Sequence, residues 1–209
     1  MSTSEASKDQ KHKKAMEKQK ANVDSKIAAA TIDQGVFILL TGNGKGKSSS
    51  AFGMVMRALG YGHNVGVVQF IKGKQLSGEE LYLRALLDKP EGEGIRFYQM
   101  GTGFTWNTQD RSADIAAAER TWQHAHQMLQ DESLNLVVLD ELTYMLAYKY
   151  LPEDMILEAL DRRPAEQSVV VTGRGGGSAL QALADTVSEV KDVKHAYHSG
   201  IRARIGVDY

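Results

Sequence analysis

A glycine-rich heptapeptide, Gly-Asn-Gly-Lys-Gly-Lys-Ser at residues 42–48, lies between an apolar run and a helical pattern. Residues 35–41 before it are apolar without alternation, which is typical of a parallel strand covered on both faces. Residues 48–59 after it carry apolar side chains at helical spacing, and Gly60 provides a helix stop. Glycines at such a junction let backbone N–H groups surround an anion, and the helix N-terminus adds partial positive charge. The stretch therefore predicts a phosphate-binding loop.

The residues of this loop have distinct expected roles towards a nucleoside triphosphate. Lys47 is expected to reach the outer phosphates, and the Ser48 hydroxyl to ligate Mg²⁺. The loop is one residue shorter than usual, because Thr41 stands where the first glycine is normally found. A simple turn with a surface lysine is the alternative, but alternating glycines followed by Lys-Ser favour nucleotide binding. The predicted ATP-binding residues are Gly42, Asn43, Gly44, Lys45, Gly46, Lys47, Ser48 and Ser49.

Composition excludes several other classes of protein. With 209 residues and 42% hydrophobic content, the chain is large enough for one substantial core. A net charge of −1 gives no overall electrostatic footprint for nucleic acid, and the lack of cysteine excludes disulfides, thiolate metal sites and a cysteine nucleophile. No apolar run approaches the ~20 residues of a membrane span. A cytoplasmic protein without a membrane partner is expected.

Residues 1–33 differ in composition from the rest of the chain. This segment is polar and basic, and lysines outnumber acidic side chains in it. We expect a mobile or loosely helical arm, followed by a single domain at 34–209. A solvated tail is favoured over a nucleic-acid-binding arm, because the segment has no arginine or aromatic residue to stack on bases. A flap over an anionic ligand is a third interpretation.

The rest of the chain alternates between apolar runs and helical patterns. Such alternation predicts a mostly parallel sheet with right-handed crossovers and helices on both faces, an α/β fold of the P-loop nucleotidase (RecA-like) class. Further strands are expected at 64–70, 95–100, 134–141 and 168–173, and one or two short ones within 193–207. Further helices are expected at 78–88, 112–129, 142–150, 152–161 and 178–187.

Two acidic residues end the strand at 134–141. A carboxylate at the tip of a strand commonly holds Mg²⁺ in nucleotide-binding proteins, directly or through water. An acid there also caps a following helix in many proteins. With a phosphate-binding loop upstream, the metal interpretation is favoured, and Ser48, Asp140 and Glu141 are the predicted Mg²⁺ ligands.

Charged and aromatic residues follow three other strands. In an open parallel sheet, ligands bind beyond the carboxyl ends of the strands. Arg174 is expected at this edge of the sheet. It is either a cation beside triphosphate or an exposed arginine in a salt bridge, and both interpretations stay open. Lys72 and Lys74 either face the site or are solvated, and solvation is favoured for Lys74.

The glycine-flanked aromatics Phe104 and Trp106 follow the third strand. They either pack onto the core or form an apolar platform for a flat hydrophobic ligand.

An ATP-hydrolysing or regulatory RecA-like protein is one interpretation of these features, since one acid would serve Mg²⁺ and the other would activate water. The aromatic loop has no role in that scheme. Taken together, five motifs closely resemble ATP:corrinoid adenosyltransferases of the CobA/BtuR type, and the resemblance runs from about residue 34 to the C-terminus. The shortened phosphate loop is itself a feature of that family. The motifs are those at residues 41–48, 64–73, 103–106, 138–144 and 172–175.

The resemblance implies transfer of the 5′-deoxyadenosyl group of ATP to the Co(I) centre of a corrinoid, with release of triphosphate, in adenosylcobalamin synthesis or salvage. It implies that Lys47, Glu141 and Arg174 act on the triphosphate, and that ATP lies reversed in the loop. It also implies that Phe104 and Trp106 occupy the lower face of the corrin and displace its axial ligand, which eases reduction of Co(II). A homodimer in which the arm covers the partner's site, and a flavodoxin-like or other reductant, are further implications.

Overall fold

The computed structural model describes residues 3–71, 76–101 and 110–209, with side chains from residue 8 onward. Lys72, Lys74, Phe104 and Trp106 lie outside the described residues, so their predicted roles stay predictions. The chain divides into two compact units, one ending at Asp33 and the other comprising Gln34–Tyr209.

The first unit is built on one long helix, α1 (Thr3–Ala29). Lys20 and Asp24, one turn apart, form an exposed ion pair at 3.7 Å. Pairs at this spacing support an isolated helix by only about 0.2–0.5 kcal/mol each. This single exposed pair therefore adds little to the stability of α1.

The second unit contains a six-stranded sheet in the order β3-β2-β4-β5-β1-β6. All of its strand pairs are parallel. The carboxyl ends of the strands therefore share one edge of the sheet, which is where the loop and the strand-end acids lie. The strands are β1 (Phe37–Thr41), β2 (Val65–Gln69), β3 (Ile95–Gln99), β4 (Leu136–Asp140), β5 (Ser168–Thr172) and β6 (Thr186–Glu189).

Helices cover both faces of this sheet. Alternate residues of a strand point to opposite faces: Val137 and Leu139 join one apolar cluster, and Val138 joins the other. The first cluster contains Trp122, and the second contains Phe52. The helices are α2 (Lys47–Gly60), α3 (Gly78–Leu87), α4 (Arg111–Gln130), α5 (Thr143–Ala147), α6 (Glu153–Asp161) and α7 (Gly177–Leu183). Short 3₁₀ helices span Pro90–Gly92 and Ala196–Ser199.

This architecture confirms the predicted α/β fold with a parallel sheet and helices on both faces. None of the helices in the described part of the chain is long and apolar enough to span a membrane.

Three local predictions were wrong. The helix expected over 178–187 ends at Leu183, and Thr186–Glu189 forms the edge strand β6 beside β1. All of β6 is exposed, so it lacks the apolar pattern that reveals a strand. The helix expected over 142–150 comprises only Thr143–Ala147, and Lys149 has a φ of 54°, which a right-handed helix does not allow. The strands expected within 193–207 are replaced by a 3₁₀ helix and turns.

Candidate active site

The phosphate-binding loop joins β1 to α2 and packs closely against the backbone that follows β6. The Gly44 N–H donates to the Val190 carbonyl at 2.7 Å. A Cβ atom at Gly42 would collide with the same carbonyl, and Gly42 also has a φ of 99°. Only glycine accommodates both constraints without strain. The glycines of this loop are therefore required by its close packing as well as by access to an anion.

Lys47 begins α2 and is directed into the loop. Its side chain is almost completely buried, with the residue 7% exposed, and Nζ donates to the Gly44 carbonyl at 2.9 Å. Burial lowers the pKa of Lys47, an effect that the nearby negative charge of Glu141 opposes. The ammonium group thus lies at the centre of the loop, held by one backbone oxygen and able to donate further hydrogen bonds to an anion.

Asp140 is buried at the end of β4, and both of its carboxylate oxygens accept hydrogen bonds. Thr172 Oγ1 donates to Oδ1 at 2.7 Å, and Gln69 Nε2 donates to Oδ2 at 3.2 Å. The N-cap residue of α5 is Leu142, without a side-chain cap. Asp140 therefore does not cap the following helix, and its orientation is determined by residues from the two neighbouring strands.

Glu141 has the most unusual environment of the site. Its φ is 60°, uncommon for a residue other than glycine, and its N–H donates to Thr172 Oγ1 at 2.9 Å. Its Oε2 atom is buried without a hydrogen-bond partner among the described residues. Burial, and then the charge of Asp140, raise the pKa of Glu141 to about 7, while Lys47 and Arg174 oppose this. A buried carboxylate oxygen without a donor is well suited to accept a cation.

Arg174 is exposed at the edge of the same cleft. The preceding Gly173 has a φ of 143°, and a Cβ there would collide with the Thr143 side chain. Thr143 Oγ1 in turn donates to the Arg174 carbonyl at 3.0 Å. The backbone at Arg174 is therefore fixed, while no salt bridge of its guanidinium is found within 3–71, 76–101 and 110–209. These contacts favour the hypothesis of a free cation at the site over that of a salt-bridging arginine.

These residues line one cleft with a volume of about 720 Å³, which is suited to a small-molecule ligand. Residues 43–49 contribute to it together with Asp140, Glu141 and Arg174, so the predicted phosphate-binding and metal-binding residues other than Gly42 line one cleft. Gly42 does not line the cleft.

Another part of the cleft lining comes from the C-terminal region, where the sequence predicted no site. This C-terminal wall includes Asp192, His195, Tyr197, His198 and Asp208, and Tyr144 of α5 also lines the cleft. Lys45 Nζ pairs with Asp208 Oδ1 at 3.0 Å, and the Arg204 N–H donates to the other oxygen of Asp208 at 2.9 Å. These contacts lower the pKa of Asp208. Because β6 was not predicted, no pattern in the sequence placed this wall at the site.

The donor set at the cleft fits Mg²⁺. The described residues contain no cluster of three or more His, Cys, Asp or Glu side chains that could hold a metal. Mg²⁺ in nucleotide sites does not need one, since it is usually bound by one or two carboxylates together with phosphates and water. The unpartnered oxygen of Glu141 and the half-buried hydroxyl of Ser48 are hard oxygen ligands of this kind.

Comparisons with known proteins point to one family. Residues 33–209 match the family model described as ATP:corrinoid adenosyltransferase BtuR/CobO/CobP. A corrinoid adenosyltransferase of Escherichia coli (strain K12) is 50% identical over 201 residues, which cover 96% of this chain and 99% of that protein. A corrinoid adenosyltransferase of Pseudomonas aeruginosa is 52% identical over 202 residues, 97% of each chain.

Among solved structures, the flagellar accessory protein FlaH of Methanocaldococcus jannaschii matches 80% of this chain and 76% of that chain, with a TM-score of 0.47 and 14% identity. The family match and the near full-length relatives agree with each other. The chain belongs to the ATP:corrinoid adenosyltransferase family.

Proposed function

We propose that this protein transfers the 5′-deoxyadenosyl group of ATP to the Co(I) centre of a corrinoid, such as cobalamin, cobinamide or cobyrinic acid diamide. The reaction releases triphosphate and serves adenosylcobalamin synthesis or salvage. The observation that carries this proposal is the family match over residues 33–209, in a chain whose phosphate loop and strand-end acids line one cleft. A RecA-like ATP-hydrolysing or regulatory protein is not favoured.

The chemistry explains why the cleft has no need of a protein nucleophile. Reduced cobalt, part of the substrate, attacks the 5′ carbon of ATP with its electron pair, so that a Co–C bond forms. The C5′–O bond breaks, and triphosphate leaves with the bonding electrons. The cobalt is formally oxidised from Co(I) to Co(III). The protein's main electrostatic task is to stabilise the charge on the leaving triphosphate.

The cationic groups of the cleft are suited to that task. The loop N–H groups and the buried Lys47 ammonium lie together at the start of α2, where the helix adds partial positive charge. Arg174 adds a second cation at the edge of the cleft. Triphosphate would displace the Gly44 carbonyl as the acceptor for Lys47, since a charge-assisted hydrogen bond is stronger than one to a neutral amide.

Mg²⁺ would be held by Ser48 and Glu141, and Asp140 would contact it directly or through water. The support is the buried Glu141 oxygen that lacks a donor. When bound, Mg²⁺ neutralises part of the phosphate charge. Both oxygens of Asp140 already accept hydrogen bonds, which favours contact through water for this residue.

Phe104 and Trp106 are proposed to contact the lower face of the corrin and to displace its axial ligand. Removing that ligand from Co(II) eases reduction to Co(I) by a flavodoxin-like or other reductant. Replacing either aromatic with alanine is expected to slow transfer that starts from Co(II) more than transfer to chemically prepared Co(I). Equal loss from both starting states would contradict the proposed effect on the metal.

We also propose that the protein acts as a cytoplasmic homodimer, with α1 covering the partner's site. α1 exposes Met16, Val23 and Ile27 at a spacing that places them on one helix face. These three exposed apolar side chains support the proposal of a contact surface on an otherwise polar helix.

The direct test of the reaction is anaerobic incubation of the purified protein with Mg-ATP and cob(I)alamin, followed by absorption spectroscopy. The spectrum of a light-sensitive alkylcobalamin is expected to appear only when both substrates are present. No spectral change with active cob(I)alamin would contradict the proposal.

A further inference from the structure

A row of amide and carboxylate side chains crosses the carboxyl edge of the sheet. Strand register places Gln69 of β2 beside Gln99 of β3 and beside Asp140 of β4. Gln99 Nε2 donates to Gln69 Oε1 at 3.1 Å, and Gln69 Nε2 donates to Asp140 Oδ2 at 3.2 Å. The two glutamines therefore form a continuous hydrogen-bonded row that ends on a carboxylate of the candidate site.

The other end of the row is anchored in α3. Gln99 Nε2 also donates to Glu80 Oε2 at 2.8 Å, and Glu80 is only 2% exposed. Arg84 Nε donates to the other oxygen of Glu80 at 2.8 Å. Ser77 Oγ accepts from the Glu80 N–H and caps the helix, so the backbone at Glu80 is fixed as well. The Glu80 carboxylate that accepts from Gln99 is thus held in place.

This row determines which way the Gln69 amide points. Its oxygen accepts from Gln99, so its NH₂ group must face Asp140. Beyond Asp140 the bonding continues to Glu141, because Thr172 Oγ1 donates to Asp140 and accepts the Glu141 N–H. Hydrogen bonds therefore connect Gln69 to the backbone of Glu141 through the Asp140 carboxylate and the Thr172 hydroxyl.

We infer that Gln69, held by Gln99 and Glu80, is a positioning residue that orients the Asp140 carboxylate, and through Thr172 the backbone of Glu141, for the magnesium complex of ATP. This inference rests on the proposed function, because it takes Mg-ATP as the ligand. Groups that orient a metal's ligands typically affect metal affinity or activity by about 10- to 100-fold when they are replaced.

The test is calorimetric titration of the full-length protein with ATP, in the presence and in the absence of Mg²⁺. The variants are Gln69→Met, Gln99→Met and the combination of the two. Methionine keeps the length of the side chain but removes both the donor and the acceptor. The matched control is Gln167→Met, because Gln167 is 1% exposed and donates to the Met128 and Asp131 carbonyls at the opposite edge of the sheet.

Gln69→Met is expected to weaken binding of Mg-ATP by about 10-fold and to change binding of metal-free ATP by less than about twofold. Gln99→Met should have a smaller effect in the same direction, and the double variant should bind no more weakly than Gln69→Met, because the two residues act through one row. Gln167→Met should lower the melting temperature without changing the ratio of the two affinities. If Gln69→Met does not fold, Gln99→Met provides the same comparison.

Unchanged Mg-ATP binding in Gln69→Met, or equal weakening with and without Mg²⁺, would overturn the inference. The inference would also be overturned if the wild-type protein bound ATP equally well in the presence and in the absence of Mg²⁺. Formation of alkylcobalamin by the wild-type protein is measured separately. Its failure would count against the proposed reaction, while the calorimetric comparison would still decide the role of Gln69.

Discussion

Two lysines of the phosphate loop, two residues apart, have opposite surroundings. Lys47 is buried and bonded to a loop carbonyl, whereas the Lys45 side chain is 41% exposed and pairs with Asp208. Sequence alone predicted both as ATP-binding residues. The difference between them arises from the C-terminal turn that carries Asp208, which no local pattern reveals.

Lys47→Ala is expected to reduce kcat/KM for adenosyl transfer by at least about 10- to 100-fold, since a hydrogen bond to a charged group contributes about 1.5–3 kcal/mol. Lys45→Ala is the matched control and should lose clearly less, because an exposed ion pair contributes at most about 1 kcal/mol. Both variants are measured by the rate of alkylcobalamin formation at saturating cob(I)alamin. Near-normal transfer by Lys47→Ala would contradict its role.

The raised pKa of Glu141 makes the stability of the ligand-free protein depend on pH. Its pKa is about 7 in the folded protein, against an ordinary value of 4.5, so between these values the folded state binds more protons than the unfolded state. Stability is therefore lost as pH rises through about 7, by an amount on the order of 3 kcal/mol.

Glu141→Gln should remove this loss. Without Mg²⁺ and ATP, the variant is expected to melt at a higher temperature than the wild type at pH 8, and at a similar temperature at pH 5. Thermal unfolding at both pH values is the measurement, with the exposed Glu158→Gln as the control. A Glu141→Gln variant that melts below the wild type at pH 8 would contradict the burial of an unpaired carboxylate at this position.

At the scale of elements, the buried strands were predicted well and the edge strand was not. The strands β4 and β5 contain continuous apolar runs, at residues 136–139 and 169–171, that are covered on both faces, and that pattern is readable in the sequence. β6 has no buried residue and is held by its pairing with β1 and by Asp185, whose side chain accepts from the Phe37 N–H at 2.7 Å. Such long-range pairing leaves no local signal.

Replacing two glycines, one in the loop and one in α2, with alanine should change the stability of the protein in opposite directions. Gly42→Ala meets both a φ of 99° and the Val190 carbonyl, and is expected to destabilise the protein by about 2–4 kcal/mol. Gly53→Ala, within α2, meets no atom within 4 Å and should stabilise the protein by about 0.5–1 kcal/mol. Denaturant unfolding measures both changes. Equal stability of the two variants would contradict the close packing of the loop.

At the scale of the whole molecule, the second unit contains the sheet, both apolar clusters and the candidate cleft. The family was recognisable from short motifs, because the chemistry of phosphate binding requires particular residues at particular positions. The C-terminal wall of the cleft could not be predicted from such motifs. Its residues are brought to the loop by the long-range pairing of β6 with β1.

Deletion of residues 1–33 should leave thermal unfolding of the remaining unit nearly unchanged, because that unit keeps its own core. It should slow adenosyl transfer and weaken self-association, if α1 covers the site of a second copy. Light scattering of the full-length and truncated proteins measures the association. A full-length protein that is monomeric at assay concentration would contradict the proposed homodimer.

The most direct test of the central claim is the ratio of products. Triphosphate, ADP and inorganic phosphate are quantified against the alkylcobalamin formed from Mg-ATP and cob(I)alamin under anaerobic conditions. One triphosphate for each alkylcobalamin, with little ADP, is the result expected if the cleft stabilises triphosphate as a leaving group. ADP and phosphate that accumulate without alkylcobalamin would contradict the account and would favour ATP hydrolysis as the reaction of this cleft.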